Sequence, residues 1–174
     1  MKYNCIFKKS VVNLNKITYE NGVTKEAMSD KYEVLKLKNQ ICFPLYVCSK
    51  EIVKRYKPFL EEIDLTYTQY ITMMVLWEYK EMNVKELGLH LFLDSGTLTP
   101  VLKKLEQKEY ITRTRNDKDE RVLNVAITPK GEALKEKAVT IPEKIGGCVP
   151  LSQEDAAKLY EILHKMLGVL EPEE

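Results

Sequence analysis

The residues of this 174-residue chain that are best suited to chemistry are its thiols and the tyrosines near one of them. Cys42 lies in the stretch ICFPLY, and Tyr46 and Tyr56 follow it. A cysteine can be an inert apolar side chain in a core, or, once ionised, a nucleophile that attacks peroxides. Cys42 by itself does not distinguish these two roles.

Helical spacing relates these three residues to one another. At about 100° per residue, Tyr46 lies roughly 40° round from Cys42, and Tyr56 roughly 40° the other way, so all three share a face. Tyr56 is nevertheless about 21 Å further along the axis. It reaches Cys42 of its own chain only if the helix breaks sharply. If the first helices cross in a dimer, Tyr56 of one subunit can reach Cys42 of the other, whereas Cys48, roughly 240° round, is predicted to pack in the core.

Other chemistries have little support in the sequence. The chain has four cysteines, Cys5, Cys42, Cys48 and Cys148. They form no CxxC pair, and His90 and His164 are far apart, so neither a metal site nor a cofactor is predicted. Nucleotide-binding and hydrolase signatures such as GxGxxG and GxSxG do not occur. In a reducing cytoplasm the four cysteines would be free thiols.

Composition and charge restrict the class of partner. The chain has 27 basic and 26 acidic residues, so any surface for nucleic acid must be local. No apolar run approaches the roughly 18 residues of a membrane span, and the N-terminus has no apolar core of a secretory signal. A cytoplasmic protein without membrane association is predicted.

The elements that position these residues follow from hydrophobic periodicity and capping residues. Residues 1–30 are predicted to be a polar extension, flexible or a start-site artefact, with Met28 as an alternative start. Residues 31–174 are predicted to form one domain. A helical pattern runs from Leu35 to Leu60, where Pro44 indicates either a helix that begins close to Cys42 or a kink.

Three further helices and a hairpin are predicted after a break near residues 63–65. Thr66 or Thr68, Asn83, and Asp94 or Ser95 are candidate N-caps for these helices. The segments YITRTR and RVLNVAIT alternate apolar and polar residues around the charged NDKDE, which is typical of a β-hairpin. Thr128-Pro129 is predicted to start a long helix that runs towards Ala138 or beyond. The segment IPEKIGGCVPLS is predicted to be a loop, and Ser152 is predicted to start a last helix that runs through Leu167.

This order predicts a mostly α protein with a small β-wing, a winged helix-turn-helix over residues 66–128. The apolar helices of residues 31–65 and 129–174 have no other core to join. A dimerisation layer formed by the N- and C-terminal helices is therefore predicted.

The fourth helix and the hairpin carry residue types that suit DNA. The helix opens with DSGTLTP, and small hydroxyl side chains at a helix N-terminus can contact phosphates and base edges. The same span contains two acidic residues, Glu106 and Glu109, so its charge is locally positive. Its basic residues are Lys103, Lys104, Lys108, Arg113 and Arg115. Arg121, after Asp119 and Glu120 at the hairpin tip, can enter a narrow minor groove. The alternative for each residue is a plain cap or a solvated charged face.

Taken together, ICFPLY, YKPFLEEIDLTYTQY, LFLDSGTLTPVLKKLEQKEYITRTRNDKDER and ITPKGEAL resemble the MarR family of winged-helix repressors, from about Leu35 to about Leu170. More narrowly they resemble its organic-hydroperoxide-sensing OhrR branch. The resemblance implies a homodimer that binds a palindromic operator in double-stranded DNA and represses a peroxide-detoxifying gene. It places four residues at the N-terminus of the recognition helix, Asp94, Ser95, Thr97 and Thr99. It also implies that Arg121 is the minor-groove arginine of the wing and Asp119 its carboxylate partner.

The same resemblance implies that Cys42 is the peroxide-reactive cysteine and that Tyr46, Tyr56 and Tyr67 neighbour it. It allows Cys148 to resolve the oxidised thiol as an inter-subunit disulfide, with a bystander thiol as the alternative. A second function remains open, a MarR-type repressor that responds to a small aromatic ligand, with Cys42 not a sensor. A thiol peroxidase is disfavoured because ICFPLY offers no activating cation, so no enzymatic activity is predicted.

Overall fold

A computed structural model describes residues 32–115 and 122–170. The chain divides into two compact units, Met1–Lys50 and Glu51–Glu174. The predicted extension, Cys5, Asp119 and Arg121 lie outside the described residues. Among the helices of the described ranges, none is long and apolar enough to cross a membrane.

The first described elements are two 3-10 turns, Glu33–Leu35 and Leu37–Asn39, followed by the helix α1 (Cys42–Glu61). The helical pattern predicted from Leu35 therefore becomes an α-helix only at Cys42. Pro44 explains this start, because it falls in the first turn, where a backbone N–H has no intrahelical partner and its loss costs little. Of the two alternatives for Pro44, the structure has the helix that begins at Cys42.

The next helices begin at the predicted caps. In α2 (Tyr67–Tyr79), Thr66 and Gln69 form a capping box, and in α3 (Val84–Leu91), Asn83 and Glu86 form another. The recognition helix α4 (Ser95–Gln107) starts with Asp94 as its N-cap. In each case a side-chain oxygen accepts from a backbone N–H that would otherwise have no partner, which fixes where the helix starts.

The predicted hairpin is present as β2 (Ile111–Arg115) and β3 (Leu123–Ile127), and a strand that was not predicted, β1 (Glu81–Asn83), joins it. The strand order is β1-β3-β2, with both pairs antiparallel. A three-residue strand is too short to show an alternating pattern, which explains why the sequence did not reveal β1.

The prediction of one long helix after Pro129 is wrong. Thr128 caps a helix with Pro129 at its start, as predicted, but the segment consists of α5 (Pro129–Ala133), α6 (Lys135–Ala138) and α7 (Ile141–Gly146). Pro142 explains the last interruption, because it lacks the N–H that would continue the preceding helix. The predicted loop IPEKIGGCVPLS is thus helical in its first half. The final helix, α8 (Gln153–Leu170), follows Ser152, whose Oγ accepts from the N–H of Asp155 at 3.1 Å.

The core of the second unit lies between α2, α3, α4 and the sheet. Its fully buried side chains include Met73, Leu76, Leu87, Leu98, Leu102, Leu105, Ile111 and Val125. The end of α1 packs against α7, where the Lys144 ammonium lies 5.5 Å from the centroid of the Phe59 ring and 3.6 Å from a Glu62 carboxylate oxygen. Helix α8 has no buried residue in the chain alone.

Candidate nucleic-acid interface and thiol site

The turn between α3 and α4 is built on a close backbone approach. Phe92 adopts the left-handed conformation, and the N–H of Leu93 donates to the Gly88 carbonyl at 2.9 Å. A Cβ on Gly88 would lie 2.7 Å from the Leu93 carbonyl oxygen, so a larger residue does not fit without a shift of the turn. The sequence analysis did not identify Gly88. A glycine inside a short helix before a polar turn is a signal of a close backbone approach that could have indicated it.

Asp94 holds the first turn of the recognition helix. Its Oδ1 accepts from the N–H of Thr97 at 2.8 Å, and the Thr97 hydroxyl donates to Oδ2 at 3.1 Å. These hydrogen bonds to Thr97 lower the pKa of the Asp94 carboxyl, so it remains a charged acceptor. The Thr99 hydroxyl donates to the Ser95 carbonyl at 2.6 Å, which leaves its methyl group and lone pairs for other contacts.

The exposed side of α4 presents a polar strip, next to the row of the buried Leu98 and Leu102. Ser95, Thr99 and Lys103 recur every four residues, which places them in one row along the helix, and all three are exposed. We call this row the polar strip. A row of hydroxyl and ammonium groups on an exposed recognition helix suits contact with phosphates and base edges in a major groove.

The predicted basic cluster is narrower than its sequence suggests. Lys108 forms an ion pair with Asp64 at 3.0 Å, and Arg113 donates from Nε to Glu106 at 2.9 Å. Lys103 and Lys104 are exposed and have no ion pair among the described residues. The predicted cations that are exposed and have no ion pair in the described part of the chain are therefore these two lysines and Arg115. Asp119 and Arg121 fall outside the described ranges, so their roles at the wing tip remain predictions.

Cys42 is the first residue of α1, and its side chain is exposed. The N–H groups of a first helical turn have no intrahelical partners and form the positive end of the helix dipole, which favours an anion there. Tyr46, one turn later, is also exposed, and the Lys50 ammonium lies 5.8 Å from the centroid of its ring. The structure therefore brings Cys42 and Tyr46 to the same part of α1, as predicted.

Tyr56 and Tyr67, the other two predicted tyrosines, form a pair in the second unit. Their ring centroids are 4.9 Å apart in an edge-to-face arrangement, and Tyr70 lies 6.0 Å from Tyr56. Burial raises the pKa of all three hydroxyls further above its ordinary value, so the protonated, hydrogen-bond-donating form is reinforced. Tyr70 was not predicted, although its spacing of three residues from Tyr67 is the signal that would have indicated it.

The remaining described thiols differ from one another. Cys48 is exposed, so the prediction that it packs in a core is wrong: the only buried residue of α1 in the chain alone is Leu60. Cys148 is half-buried after α7, where its N–H donates to the Ile145 carbonyl at 2.8 Å and its own carbonyl accepts from the Arg55 guanidinium. Within the described ranges, no group of three or more His, Cys, Asp or Glu residues could hold a metal ion.

Helix-turn-helix, wing and polar strip together define the class of the protein, a winged-helix DNA-binding protein. Comparison with known proteins specifies it further. Residues 54–138 match the family model described as transcriptional regulator SarA/Rot. The chain is 46% identical over 143 residues to the organic hydroperoxide resistance transcriptional regulator of Bacillus subtilis (strain 168), covering 82% of this chain and 97% of the relative. It is 45% identical over 132 residues to the HTH-type transcriptional regulator SarZ of Staphylococcus aureus (strain NCTC 8325 / PS 47), covering 76% and 89%.

A solved structure is similar over the same region. AbfR of Staphylococcus epidermidis, overoxidised and bound to DNA, is 34% identical, with a TM-score of 0.65 over 81% of this chain and 99% of AbfR. AbfR in a disulfide-formed state gives a TM-score of 0.56 over 80% and 96%.

The chain belongs to the MarR/SarA family of winged-helix transcriptional regulators and is a DNA-binding regulator of the OhrR-like kind. This confirms the predicted family and the predicted fold class. The relatives are transcriptional regulators, which agrees with the prediction that the chain is not an enzyme.

Proposed function

We propose that this protein is a transcriptional repressor that senses organic hydroperoxides by oxidation of Cys42 and then releases its operator. The observation that carries the proposal is the position of Cys42, exposed at the first residue of α1, beside the N–H groups of the first helical turn, which have no intrahelical partner. The relative in Bacillus subtilis is named for organic hydroperoxide resistance, and AbfR exists in reduced, overoxidised and disulfide-formed states.

The proposed reaction is a displacement at oxygen. The Cys42 thiolate attacks the terminal peroxide oxygen, an S–O bond forms, and the O–O bond breaks. The sulfur is oxidised to a sulfenic acid, and the peroxide is reduced to an alcohol after its alkoxide takes a proton. The apolar side chains around Cys42, among them the exposed Ile41 and Phe43, favour an organic hydroperoxide over hydrogen peroxide.

Tyr46, Tyr56 and Tyr67 are proposed to donate hydrogen bonds to the Cys42 sulfur in a homodimer. The contact between the Tyr56 and Tyr67 rings supports this role, because it places two phenol donors together, and a phenol that donates to a thiolate stabilises it. In this arrangement Tyr56 and Tyr67 serve the Cys42 of the partner subunit. Oxidation of the sulfur then changes the hydrogen bonds at the subunit interface and alters the spacing of the two recognition helices.

Residues 31–65 and 129–174 are proposed as the dimerisation layer and residues 66–128 as the DNA-binding region. The regulator would act on DNA in the cytoplasm. A two-fold symmetric dimer requires a palindromic operator, in which each recognition helix enters one major groove. Ser95, Thr97, Thr99 and Lys103 would contact the DNA from an α4 fixed by Asp94. Arg121, oriented by Asp119, would enter the minor groove from the wing.

Cys148 is proposed to resolve the sulfenic acid of the partner subunit's Cys42 as a disulfide with loss of water. The disulfide-formed state of AbfR supports this, as does the Arg55 contact that holds the Cys148 backbone. Non-reducing electrophoresis after oxidation tests it. A covalent dimer that disappears in Cys148→Ser is expected, whereas no covalent dimer, or one that survives Cys148→Ser, would remove the resolving role of Cys148.

The proposed function is tested by release from operator DNA. Purified protein bound to labelled operator receives one equivalent of cumene hydroperoxide, and fluorescence anisotropy follows dissociation. Wild type and Cys48→Ser, which removes another exposed thiol of the same helix, are expected to dissociate, whereas Cys42→Ser is expected to stay bound. Release of Cys42→Ser as readily as wild type would contradict peroxide sensing at Cys42. Release by a phenolic compound instead would favour the small-ligand alternative.

A further inference from the structure

Helix α2 carries a row of packed aromatic side chains from the tyrosine pair towards the wing. The Tyr70 ring lies 6.0 Å from that of Tyr56, and the Trp77 ring lies 6.2 Å from that of Tyr70 in an edge-to-face arrangement. Tyr70 and Trp77 are seven residues apart, which is close to two helical turns, so they lie on one face of α2. Both are buried in the core. The rings therefore form a contiguous connection from Tyr56 to the C-terminal end of α2.

At that end, three contacts fasten α2 to the end of β3 and to the segment that follows the wing. The indole Nε1–H of Trp77 donates to the Gly131 carbonyl at 2.9 Å, in a buried environment. The N–H of Ile127, the last residue of β3, donates to the Lys80 carbonyl at 2.9 Å. The Lys80 ammonium lies 2.7 Å from a Glu132 carboxylate oxygen. The C-terminus of α2 and the base of the wing are therefore held as one body.

Gly131 also joins both ends of the wing hairpin. A Cβ on Gly131 would lie 2.1 Å from the carbonyl oxygen of Tyr110, the residue before β2. Thr128, the residue after β3, donates from its N–H to that same carbonyl at 3.0 Å and accepts the N–H of Gly131 on its Oγ1 at 3.0 Å. Because the backbones of Gly131 and Tyr110 are in contact here, a displacement of Gly131 would be passed on to the hairpin.

We propose that Tyr70 and Trp77 are positioning residues that transmit the state of the Tyr56–Tyr67 pair to the wing. This inference rests on the proposed peroxide sensing at Cys42. When the sulfur is oxidised and the tyrosine hydroxyls change partners, the Tyr56 ring moves and Tyr70 and Trp77 repack. The Trp77–Gly131 hydrogen bond passes that displacement to the wing. A closely packed row of rings has a few discrete arrangements rather than a continuous range, which suits a two-state regulator.

The first experiment uses Trp77→Phe, which removes the indole N–H but keeps an aromatic ring. Its matched control is Tyr79→Phe on the same helix. The Tyr79 ring is exposed, and its ring neighbour is His90, with the two centroids 4.8 Å apart, so it is not part of the row that contains Tyr70. Operator affinity is measured for the reduced protein and after one equivalent of cumene hydroperoxide. The ratio of the two affinities is expected to be at least about threefold smaller in Trp77→Phe, and unchanged in Tyr79→Phe. A wild-type ratio in Trp77→Phe would overturn the proposal.

A second measurement needs no substitution at Trp77. The chain contains one tryptophan, so its fluorescence emission reports the surroundings of Trp77 directly. Oxidation is expected to shift the emission of wild-type protein but not that of Cys42→Ser. An emission spectrum that oxidation leaves unchanged would overturn the proposal even if Trp77→Phe did not fold. Release of Cys42→Ser by peroxide would instead refute the sensing function itself, so the two failures are distinguishable.

Discussion

At the scale of single residues, the tyrosines show how burial gives a side chain a chemical role. Removing Tyr56 and Tyr67 from water raises the pKa of both phenols, because the phenolate form is poorly solvated there. A phenol that stays protonated can only stabilise an anion by donating to it. A protonated phenol is the ordinary state of tyrosine, and burial reinforces it; the sequence alone did not reveal the burial.

Replacement of Tyr56 by Phe is expected to slow oxidation of Cys42 while leaving the fold intact. The ring that packs on Tyr67 remains, but the donor to the thiolate is lost. A hydrogen bond to a charged group contributes about 1.5–3 kcal/mol, so a fall of about tenfold or more in the oxidation rate is expected. The rate is measured by trapping the sulfenic acid with dimedone and mass spectrometry. Tyr79→Phe is the control, and an equal rate in Tyr56→Phe would exclude Tyr56 from the thiol site.

Asp94 predicts a dependence of stability on acid pH. Hydrogen bonds from Thr97 lower the pKa of its carboxyl in the folded state. The stability that Asp94 contributes is therefore fully present above the ordinary pKa of an aspartate and is lost as the pH falls through its lower folded pKa. Asn also caps helices but does not titrate. The Tm of wild type minus that of Asp94→Asn is expected to fall between pH 6 and pH 3, and parallel Tm curves would contradict this.

At the scale of elements, the helix-turn-helix was predictable because its helix starts are local. Thr66, Asn83 and Asp94 are each followed within three residues by the N–H that the side chain accepts, so the signal lies within one turn of sequence. Strand β1 was missed for the opposite reason. Met82 in β1 pairs with Val125 in β3, which is distant in the sequence, and only the folded chain brings the two residues opposite each other.

Gly88→Ala tests the close approach in the turn before the recognition helix. The added Cβ would meet the Leu93 carbonyl oxygen at 2.7 Å, so the turn must move. We expect a loss of about 1–3 kcal/mol of unfolding free energy, measured by urea denaturation, together with weaker operator binding. Gly146→Ala is the matched control, since a Cβ there has no atom within 4 Å. Wild-type stability and operator affinity in Gly88→Ala would show that the turn adapts without cost.

Insertion of the wing arginine into DNA is tested by Arg121→Ala. Loss of a guanidinium from a narrow minor groove is expected to weaken operator binding by about 1–3 kcal/mol, measured as a change in Kd at fixed salt. Lys118→Ala, which removes the same charge from the predicted hairpin tip, is expected to have the smaller effect. Equal and small effects of both substitutions would indicate that the wing contributes only general positive charge.

At the scale of the whole molecule, the described part of the chain leaves apolar surface exposed. Helix α8 leaves the following large apolar side chains exposed: Leu159, Ile162, Leu163, Met166, Leu167, Val169 and Leu170. Exposed apolar surface of this extent along one helix is typical of a protein–protein interface. The proposed homodimer would bury it.

Leu163→Glu is expected to shift the protein from dimer to monomer, because an ionised carboxylate would have to be buried in the proposed interface. Light scattering after size-exclusion chromatography measures the mass. Lys165→Glu, roughly 200° round the same helix, places the same side chain on the opposite face and is expected to leave the dimer intact. If Leu163→Glu remained dimeric, α8 would not lie at the centre of the dimer interface.

The thiol site was predictable only in part. The spacing of Cys42, Tyr46 and Tyr56 indicated a shared helix face, and the family resemblance added Tyr67. Tyr70 was missed, and Cys48 was predicted to be buried but is exposed in the chain alone. Helical angles assign a face but not what covers it, because that depends on which other element packs there.

By itself the sequence determined the winged helix-turn-helix and the caps of its helices, but it left open whether a helix begins at Cys42 or is kinked there. These depend on interactions between residues a few positions apart, which leave patterns in the sequence. Only the tertiary structure decided that Tyr56 pairs with Tyr67 and that Trp77 bonds to Gly131 at the base of the wing. Those contacts join residues 11 and 54 positions apart, and they exist because the core closes around α2.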